Sequence, residues 1–285
     1  MSQIDIDYLR GWVGREQVRE QVLASFPAQA LGAALDREQA LLPGEPLPPT
    51  WQWLYFNDCA RQSELGGDGH TKTGGFLPPV PLPRRMWAAG EFSCVHPLHL
   101  DASAVRYSKV TSVELKRGST GPLVFVTLEH QIRQGLQLCL VEKQQLVYRE
   151  MPTGPGALPA GEPAPQAADH QQVLRPDPVL LFRYSALTFN SHRIHYDRDY
   201  ARGQEHYPAL VVHGPLLATL LAEQVARLLP AARITQFKFR ALRPAFDHDA
   251  LLLCSRREDG RLELWVQNQE GFVTMTATAQ FEVLQ

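Results

Sequence analysis

Cysteine is scarce in this sequence. Four cysteines occur among 285 residues, and no two of them stand in a Cys-x-x-Cys spacing. Because disulfide frameworks and structural zinc sites need numerous or closely spaced cysteines, the sequence predicts neither. Each cysteine is expected to be a small buried apolar side chain rather than a ligand or a nucleophile. The four positions are Cys59, Cys94, Cys139 and Cys254.

A surplus of positive charge is also absent. The formal net charge is −2, so binding to nucleic acid or to an anionic membrane surface is not predicted. No uninterrupted apolar run approaches the roughly 18 residues that suggest a membrane helix. Residues 1–20 lack a basic flank followed by an apolar run, the pattern of a secretory leader. We therefore expect a cytoplasmic protein in which local arginines meet any anionic ligand.

What the sequence does hold is enough apolar material for a sizeable core. With 44% hydrophobic and 20% charged residues it has the composition of a soluble globular protein. Residues 151–178 carry seven prolines and almost no large apolar side chain, which predicts a linker that crosses the surface. The chain then divides into an N-terminal half, residues 1–150, and a C-terminal half, residues 179–285.

The C-terminal half predicts a long buried helix wrapped by a sheet. Residues 179–189 are apolar and aromatic enough for a strand, and residues 190–208 form a polar loop. Gly214 and Pro215 mark the start of an almost wholly apolar helix, which Pro230 ends. A helix this apolar must be covered on all sides, and the runs that follow it have strand-like patterns. These runs are residues 233–246, 250–258, 261–269 and 272–284.

The N-terminal half repeats the strand pattern without an evident long helix. Residues 74–87 hold four prolines, which bar a regular helix there and predict an unfilled groove. Residues 7–26 and 33–42 predict amphipathic helices that brace the sheets from outside. The predicted fold class is therefore α+β, a double hot-dog with two antiparallel sheets and one complete central helix. Strands are predicted at residues 90–98, 105–117, 122–134 and 136–150, with a turn at residues 118–121.

Four of the ten histidines lie in the loop before the apolar helix. A histidine with a pKa near neutrality can take a proton from water. At the helix start the N–H of Gly214 can stabilise the oxygen of a polarised carbonyl, whereas Pro215 has no N–H to give. Such a pair of groups would add water across an alkene conjugated to a thioester. The four histidines are His192, His195, His206 and His213.

The same loop resembles a known family. Type-2, R-specific enoyl-CoA hydratases and the related MaoC-like dehydratases carry Asp-x-Asn-Pro-apolar-His, followed by His-Gly at the helix start. This chain has Asn-Ser-His-Arg-Ile-His at residues 190–195 and His-Gly at residues 213–214. Residues 68–90, 119–127 and 237–246 make it most similar to the branch of itaconyl-CoA and mesaconyl-C4-CoA hydratases and mitochondrial-type hydroxyacyl-thioester dehydratases. The resemblance spans nearly the entire chain.

The motif departs from the family pattern at two positions. The family aspartate falls at Asn190, which cannot serve as a base, and the family asparagine falls at His192. The resemblance implies that His195 moves the proton, and we expect the Asn190 amide to position the water. Alternatively, His192 substitutes for the missing carboxylate. Gly214 is expected to donate to the oxyanion, or to serve only the tight turn into the helix.

Substrate contacts are expected from arginines and from further residues of the loop. The carboxylate of an itaconyl or mesaconyl group needs a cation, for which Arg84, Arg85 and Arg193 are the candidates. Phosphates of coenzyme A are expected to meet Arg240 or Arg243. The remaining candidates are His192 and His213 for substrate contacts, and Tyr55 and Trp87 for the acyl pocket or the core.

Metal binding is not predicted. His192 and His195 are followed by Asp197 and Asp199, but an extended loop would not place both imidazoles on one side, and no third ligand stands at a compelling spacing. The resemblance likewise implies no cofactor, because coenzyme A is part of the substrate.

The predicted activity is a hydratase of a short branched dicarboxylyl-CoA, itaconyl-CoA or mesaconyl-C4-CoA, that gives citramalyl-CoA. The N-terminal half is expected to bind the acyl-CoA and the C-terminal half to carry the catalytic groups. The main alternative is a (3R)-hydroxyacyl-thioester dehydratase acting on fatty acyl chains. A hot-dog thioesterase and a non-catalytic acyl-CoA binder are further alternatives. Both a monomer with two internal units and a homo-oligomer paired through its sheets stay open.

Overall fold

A long antiparallel sheet forms the frame of the protein. The computed structural model describes residues 4–118, 121–152, 154, 156, 158 and 161–283. In these residues ten strands follow the order β1-β3-β4-β5-β2-β7-β10-β9-β8-β6. The strands are β1 (Glu16–Val22), β2 (Arg84–Cys94), β3 (Ser103–Gly118), β4 (Gly121–Gln134), β5 (Gln137–Arg149), β6 (His170–Leu174), β7 (Ala232–Ala241), β8 (Leu251–Glu258), β9 (Arg261–Gln267) and β10 (Val273–Val283). The helices are α1 (Ile6–Arg10), α2 (Ser25–Ala34), α3 (Pro178–Leu187), α4 (Arg198–Gly203) and α5 (Gly214–Leu228).

The two predicted sheets are continuous with each other. Strand β2 of the N-terminal half pairs antiparallel with β7 of the C-terminal half, with Phe92 opposite Phe237. The two rings stack with centroids 5.5 Å apart, so an aromatic cross-strand pair ties the halves together at the middle of the sheet. The halves therefore form one body with a shared interior.

Helix α5 fills the concave side of the C-terminal half, as predicted. Pro215 lies in its first turn, and the residues from Leu216 to Val225 are buried. The helix contacts β7, β8, β9 and β10 of its own half and β2 of the other. Because it is covered on nearly every side, its apolar composition is satisfied without an exposed face.

The N-terminal half has no long helix on its concave side in the described residues, which also agrees with the prediction. Val80 and Leu82 of the proline-rich segment pack instead against apolar side chains of β3 and β4, among them Val113 and Val126. The end of that segment, from Arg84 onward, continues as strand β2. An irregular chain covers less of a sheet than a helix does, and open space is left beside it.

Two predictions in the C-terminal half were wrong in detail. Residues 179–189 were predicted as a strand but form α3, whose cap is Asp177, with the Leu180 N–H donating to its carboxylate at 2.7 Å. Pro178 occupies the first turn, where its missing N–H costs nothing. The predicted linker is also partly structured, since β6 pairs with β8 at the edge of the sheet. Five residues of that linker (153, 155, 157, 159 and 160) lie outside the described residues.

The predicted N-terminal brace is only partly helical. Within residues 7–26 the short α1 ends at Arg10, Gly14 adopts a φ of 88°, and β1 then pairs with β3. Strand pairing with the rest of the fold has overridden the helical propensity of this glutamate- and glutamine-rich stretch. The helix predicted at residues 33–42 is likewise wrong, because α2 ends at Ala34.

Three smaller expectations have mixed outcomes. Cys139 and Cys254 are buried as predicted, whereas Cys59 is exposed and Cys94 is half-buried. The tip of the predicted turn at residues 118–121 lies outside the described residues, although the strands on both sides of it are paired. None of the helices in the described part of the chain has the length and apolarity that spanning a membrane requires.

Candidate active site

A large cleft opens where the two halves meet. Its volume is about 1390 Å³, and both halves contribute to its wall. We call it the central cleft. Its lining includes Trp53, His70, Arg85, Trp87 and Leu146 from the N-terminal half and Asn190, His192, His195, Gly214 and Met275 from the C-terminal half. The groove predicted beside the proline-rich segment is part of this cleft, since Phe76 and Leu77 also line it.

The loop that carries the family-like motif, residues 190–195, is shaped by its own polar groups, and we call it the motif loop. The Asn190 N–H donates to the Ser185 carbonyl at 2.8 Å, and the Asn190 Oδ1 accepts from the His192 N–H at 3.0 Å. This turn begins after Phe189, which has a φ of 48°, and leads into a 3-10 turn at Arg193–His195. The Asn190 oxygen is therefore occupied in holding the loop, while its side chain still faces the cleft.

His195 presents an unprotonated nitrogen to the cleft. Its Nδ1 lies 2.7 Å from the carbonyl oxygen of Val211, and because a carbonyl only accepts, Nδ1 must carry the proton. Nε2 then keeps its lone pair. Burial, together with the neighbouring imidazoles of His213 and His192, holds the pKa of His195 well below its ordinary value. At neutral pH this side chain is a base with one fixed tautomer.

His213 supports His195 and does not reach the cleft. It is wholly buried, its ring stacks on His195 with centroids 3.7 Å apart, and its Nε2 lies 2.8 Å from the hydroxyl of Ser185. Burial lowers the pKa of His213 to about 3. The structure therefore does not bring His213, which was predicted to contact substrate, to the cleft, and places it behind the His195 ring.

Gly214 offers an amide to the same cleft. It is the first residue of α5, and its N–H has no hydrogen-bond partner among the described residues. A Cβ at this position would lie 3.9 Å from the Met275 Cε and from the Trp87 carbonyl oxygen, which is ordinary contact. Packing within the protein thus does not require glycine here, and a side chain would project into space open to a ligand.

His192 belongs to a buried ionic cluster. Its Nε2 lies 3.3 Å from Oε1 of Glu205, and the other oxygen of Glu205 accepts from the Arg84 Nε at 2.9 Å. Arg84 also donates to the hydroxyl of Tyr207. All three ionisable side chains are nearly inaccessible to solvent. Arg84 lines the cleft, but because its charge is matched by Glu205, its predicted role as a carboxylate ligand is not favoured.

The other predicted arginines differ in whether they line the cleft. Arg85 lines the cleft, and no carboxylate of the described residues lies within 4.0 Å of its guanidinium. Arg193 lies outside the cleft and is bound to the carboxylate of Asp197 through two nitrogens at 2.9 and 2.7 Å. Arg240 is exposed on β7, away from the cleft. Of these three predicted substrate contacts, the structure brings Arg85 to the cleft and leaves Arg193 and Arg240 outside it.

The remaining predicted site residues also differ in whether they line the cleft. Arg243 lines the cleft beside Glu270, at 3.3 Å, and lies over the ring of Phe272. Trp87 also lines the cleft. His206 is another lining residue. Tyr55 is a core residue, fully buried, with its hydroxyl donating to the Ala24 carbonyl at 2.7 Å.

Sequence reasoning missed a carboxylate–imidazole pair from the N-terminal half. The Nδ1 of His70 lies 2.8 Å from Oδ2 of Asp68, and the His70 N–H donates to Oδ1 at 3.0 Å. His70 lines the cleft, and its ring lies against that of His192 with centroids 4.0 Å apart. The Asp-Gly-His sequence at residues 68–70 was the available signal, but only the fold shows that it reaches the motif loop.

Three side chains of this region are close enough together to hold a metal ion. Potential ligand atoms of Asp68, His70 and His192 lie within 4.8 Å of one another. One nitrogen of each imidazole already has a protein partner, since the His70 Nδ1 is bound to Asp68 and the His192 Nε2 lies 3.3 Å from Glu205. The set considered from sequence is not assembled either, because Asp197 binds Arg193 and caps α4.

Comparison with known proteins agrees with this architecture. The family profile of hydroxyacyl-thioester dehydratase type 2 matches residues 50–247. A mesaconyl-C(4)-CoA hydratase from Chloroflexus aurantiacus is 45% identical over 94% of this chain and 96% of its own. The mitochondrial hydroxyacyl-thioester dehydratase type 2 of Schizosaccharomyces pombe is 32% identical over 73% and 77% of the two chains.

Solved structures confirm the predicted fold. A MaoC-like dehydratase from Phytophthora capsici superposes with a TM-score of 0.72 at 13% identity, covering 99% of this chain and 100% of its own. A Mycobacterium tuberculosis protein described as having a double hotdog fold superposes with a TM-score of 0.58 at 15% identity, covering 95% and 96%. The α+β double hot-dog is thus the fold of this chain.

Proposed function

Because the chain belongs to the hydroxyacyl-thioester dehydratase type 2 family and is a hydro-lyase, we propose that it adds water to mesaconyl-C4-CoA to give citramalyl-CoA. The observation that carries the chemistry is the meeting of two groups in one cleft. The bare Nε2 of His195 and the N–H of Gly214 both face it. The first is a base for water and the second a donor for a carbonyl oxygen that gains negative charge.

The reaction follows from these two groups. Water attacks the β-carbon while His195 takes one of its protons, and the π electrons move to the α-carbon and the thioester oxygen. The Gly214 N–H, reinforced by the positive end of α5, stabilises that oxygen. The imidazolium of His195 then returns the proton to the α-carbon. Water has then been added and His195 is neutral again, so the proposed reaction needs no cofactor.

The dicarboxylate is favoured by charge in the cleft. Arg85 lines the cleft and lacks a carboxylate partner in the described part of the chain, so the ionised group beside the double bond of mesaconyl-C4-CoA could pair with it. The 45% identical relative is a hydratase of that thioester. Of the two dicarboxylyl substrates, only mesaconyl-C4-CoA has its double bond conjugated with the thioester, which the proposed Gly214 oxyanion contact requires.

A second candidate is the dehydration of straight-chain (3R)-hydroxyacyl thioesters. It is favoured by the family match and by the yeast relative, and it uses the same two groups in reverse. A thioesterase is less well supported, because the carboxylate of Glu223 in α5 does not line the cleft and accepts from the Trp51 indole at 3.0 Å.

A panel of three thioesters separates these activities. Purified protein is given mesaconyl-C4-CoA, itaconyl-CoA or crotonyl-CoA, and the enoyl thioester and its hydrated product are followed by absorbance and chromatography. We expect the highest kcat/KM with mesaconyl-C4-CoA and formation of citramalyl-CoA. Equal or faster use of crotonyl-CoA would favour the fatty acyl activity. Release of free coenzyme A thiol without hydration would indicate a thioesterase.

A further inference from the structure

The motif loop lacks the second proton acceptor that its family pattern carries. The family aspartate is replaced by Asn190, whose Oδ1 is bound to the His192 N–H and whose amide nitrogen can only donate. A water molecule has two hydrogens, and His195 accepts one of them in the proposed reaction. An acceptor for the second would fix the direction of the oxygen lone pair that attacks the substrate.

The N-terminal half places a short hairpin, closed by the antiparallel bridge between Leu65 and Thr71, against this loop. The Arg193 N–H donates to the Asp68 carbonyl at 2.9 Å, and the Ser191 hydroxyl donates to the Gly69 carbonyl at 2.5 Å. A Cβ on Gly69 would lie 1.9 Å from the Ser191 carbonyl oxygen, and Gly69 has a φ of 90°. Only glycine permits this approach, so the hairpin is docked on the motif loop by backbone fit.

Within the docked hairpin, the contacts with Asp68 determine which ring nitrogen of His70 carries the proton. Both oxygens of Asp68 accept from His70, one from its ring Nδ1 and one from its backbone N–H. Because a carboxylate only accepts, the ring proton is on Nδ1 and Nε2 is bare. Burial and the charge of Arg85 lower the pKa of His70 to about 3. Burial alone would raise the pKa of Asp68, but the hydrogen bonds and charge of His70 hold it well below the ordinary value.

The imidazoles of both halves form a row. The ring centroids of His70 and His192 are 4.0 Å apart, and those of His192 and His195 are 5.4 Å apart. His192 is turned toward Glu205 through its Nε2. His70 and His195 both line the cleft, each with its Nδ1 tied to an acceptor behind it. His70 and His195 therefore each leave a bare Nε2, and both residues line the cleft.

We propose that His70 is a second catalytic residue of the hydration, the acceptor that stands in for the missing family aspartate, and that Asp68 is its positioning residue. This inference rests on the proposed hydratase function. The water donates one hydrogen to His195 and the other to His70, so that an oxygen lone pair points at the β-carbon. One O–H bond breaks onto an imidazole as the C–O bond forms, and that imidazolium then supplies the proton of the new α C–H bond. In the described residues the charged and titratable groups that interact with His70 include Asp68, Arg85, His192 and His195.

The test compares His70→Ala, His70→Gln and Asp68→Asn with wild type and with His248→Gln, a partly exposed histidine that does not line the cleft. For His70→Ala we expect kcat to fall by about 10²- to 10³-fold, the range of a general base, with circular dichroism unchanged. Added imidazole should raise the kcat of His70→Ala by at least about tenfold, since it can occupy the vacated space as a base. Asp68→Asn should lower kcat by about tenfold, because an amide can present a donor to Nδ1 and favour the wrong tautomer. His248→Gln should leave kcat unchanged.

Other outcomes overturn the inference. If His70→Ala is folded and keeps kcat within about threefold, or if its loss is not relieved by imidazole while His70→Gln is fully active, the residue only supports the loop. If a chelator abolishes wild-type activity and one metal restores it, Asp68, His70 and His192 form a metal site instead. These results differ from failure of the proposed substrate, because the variants are assayed on whichever enoyl thioester wild type hydrates. A wild type that hydrates none of them rejects both proposals.

Discussion

The two halves of the molecule both contribute to the sheet but cover its concave side differently. In the described residues β1 to β5 lie in the N-terminal half and β7 to β10 in the C-terminal half, and β6 from the linker pairs at the edge beside β8. The C-terminal half is covered by α5, which is buried from Leu216 to Val225. The N-terminal half is covered by the irregular segment around Val80 and Leu82. A complete helix leaves no space, whereas a short irregular cover leaves a cleft, so the missing helix makes room for the ligand.

The chemistry follows the same division. The C-terminal half contributes groups that only a helix start and a rigid loop can fix, namely the Gly214 amide and the His195 imidazole. The N-terminal half contributes Arg85, His70 and aromatic wall residues. We infer that one half was kept regular to position the base His195 and the Gly214 amide, while the other was left irregular to hold the substrate and to bring His70 to the cleft. The predictions below test this division.

The largest expected effect is on the C-terminal side. His195→Gln should lower kcat by about two to four orders of magnitude, because an amide cannot take the proton from water. Steady-state assays on the best substrate, with circular dichroism to check folding, measure the loss. If the folded variant loses only about tenfold, well below that scale, His195 is not the base.

Gly214→Ala tests the helix start in the same half. The added methyl group would meet protein atoms only at 3.9 Å, so thermal stability should stay close to that of wild type. It would occupy space beside the proposed oxyanion amide, and we expect kcat/KM to fall by about 10- to 100-fold, short of the loss of a full oxyanion donor. The informative control is Ala218→Gly, inside α5, which should lower stability by about 1 kcal/mol without touching the cleft. A Gly214→Ala protein that is as active as wild type would leave Gly214 with a purely structural role.

Elements with strong local signals could be predicted from the sequence. Helix α5 could be predicted because Gly214 and Pro215 start it and its length is apolar, and β7 to β10 because their side chains alternate. The motif loop and the helix start lie close in sequence, so their meeting in one cleft was also predictable. Elements whose secondary structure depends on partners distant in the sequence could not be predicted. One example is β1, which becomes a strand only through its pairing with β3.

For the site too, contacts between residues that are distant in the sequence could not be predicted. The sequence identifies arginines but not their partners, and the pairing of Arg84 with Glu205 joins residues 121 positions apart. The Asp68–His70 pair is local, but its docking on the motif loop is a contact between the two halves. Helix α3 is a different case, because the Asp177 cap and Pro178 were present in the sequence and outweigh the apolar pattern that favoured a strand.

Replacing Arg85 of the N-terminal half should alter selectivity more than catalysis. Arg85→Gln removes the cation proposed to meet the substrate carboxylate, and we expect kcat/KM for mesaconyl-C4-CoA to fall by about 10- to 100-fold, as for loss of a charge-assisted contact. Activity on crotonyl-CoA, which has no carboxylate, should change by less than about threefold. Arg240→Gln, on the exposed face of β7, is the matched control and should change neither. Equal losses on both substrates would mean that Arg85 serves the reaction itself.

The smallest expected effect is on stability and comes from a buried histidine of the N-terminal half. His130 lies between the Ser108 hydroxyl and the Gln144 amide, at 2.8 and 3.2 Å. Burial, with the charge of Arg106, lowers the pKa of His130 to about 4 from its ordinary 6.5. The unfolded chain therefore binds a proton below pH 6.5 that the native state does not bind until about pH 4, so stability is lost as the pH falls through this window.

His130→Gln removes this contribution and keeps a polar side chain of similar length. The free energy of unfolding of wild type, relative to the variant, should fall by about 2 kcal/mol between pH 7 and pH 5, since one proton contributes up to about 1.4 kcal/mol per pH unit. Urea unfolding at both pH values measures the difference. A difference that does not change with pH would show that the N-terminal interior lets water reach His130. The contrast between a closed and an open half would then include the strands around His130, which itself lines the cleft.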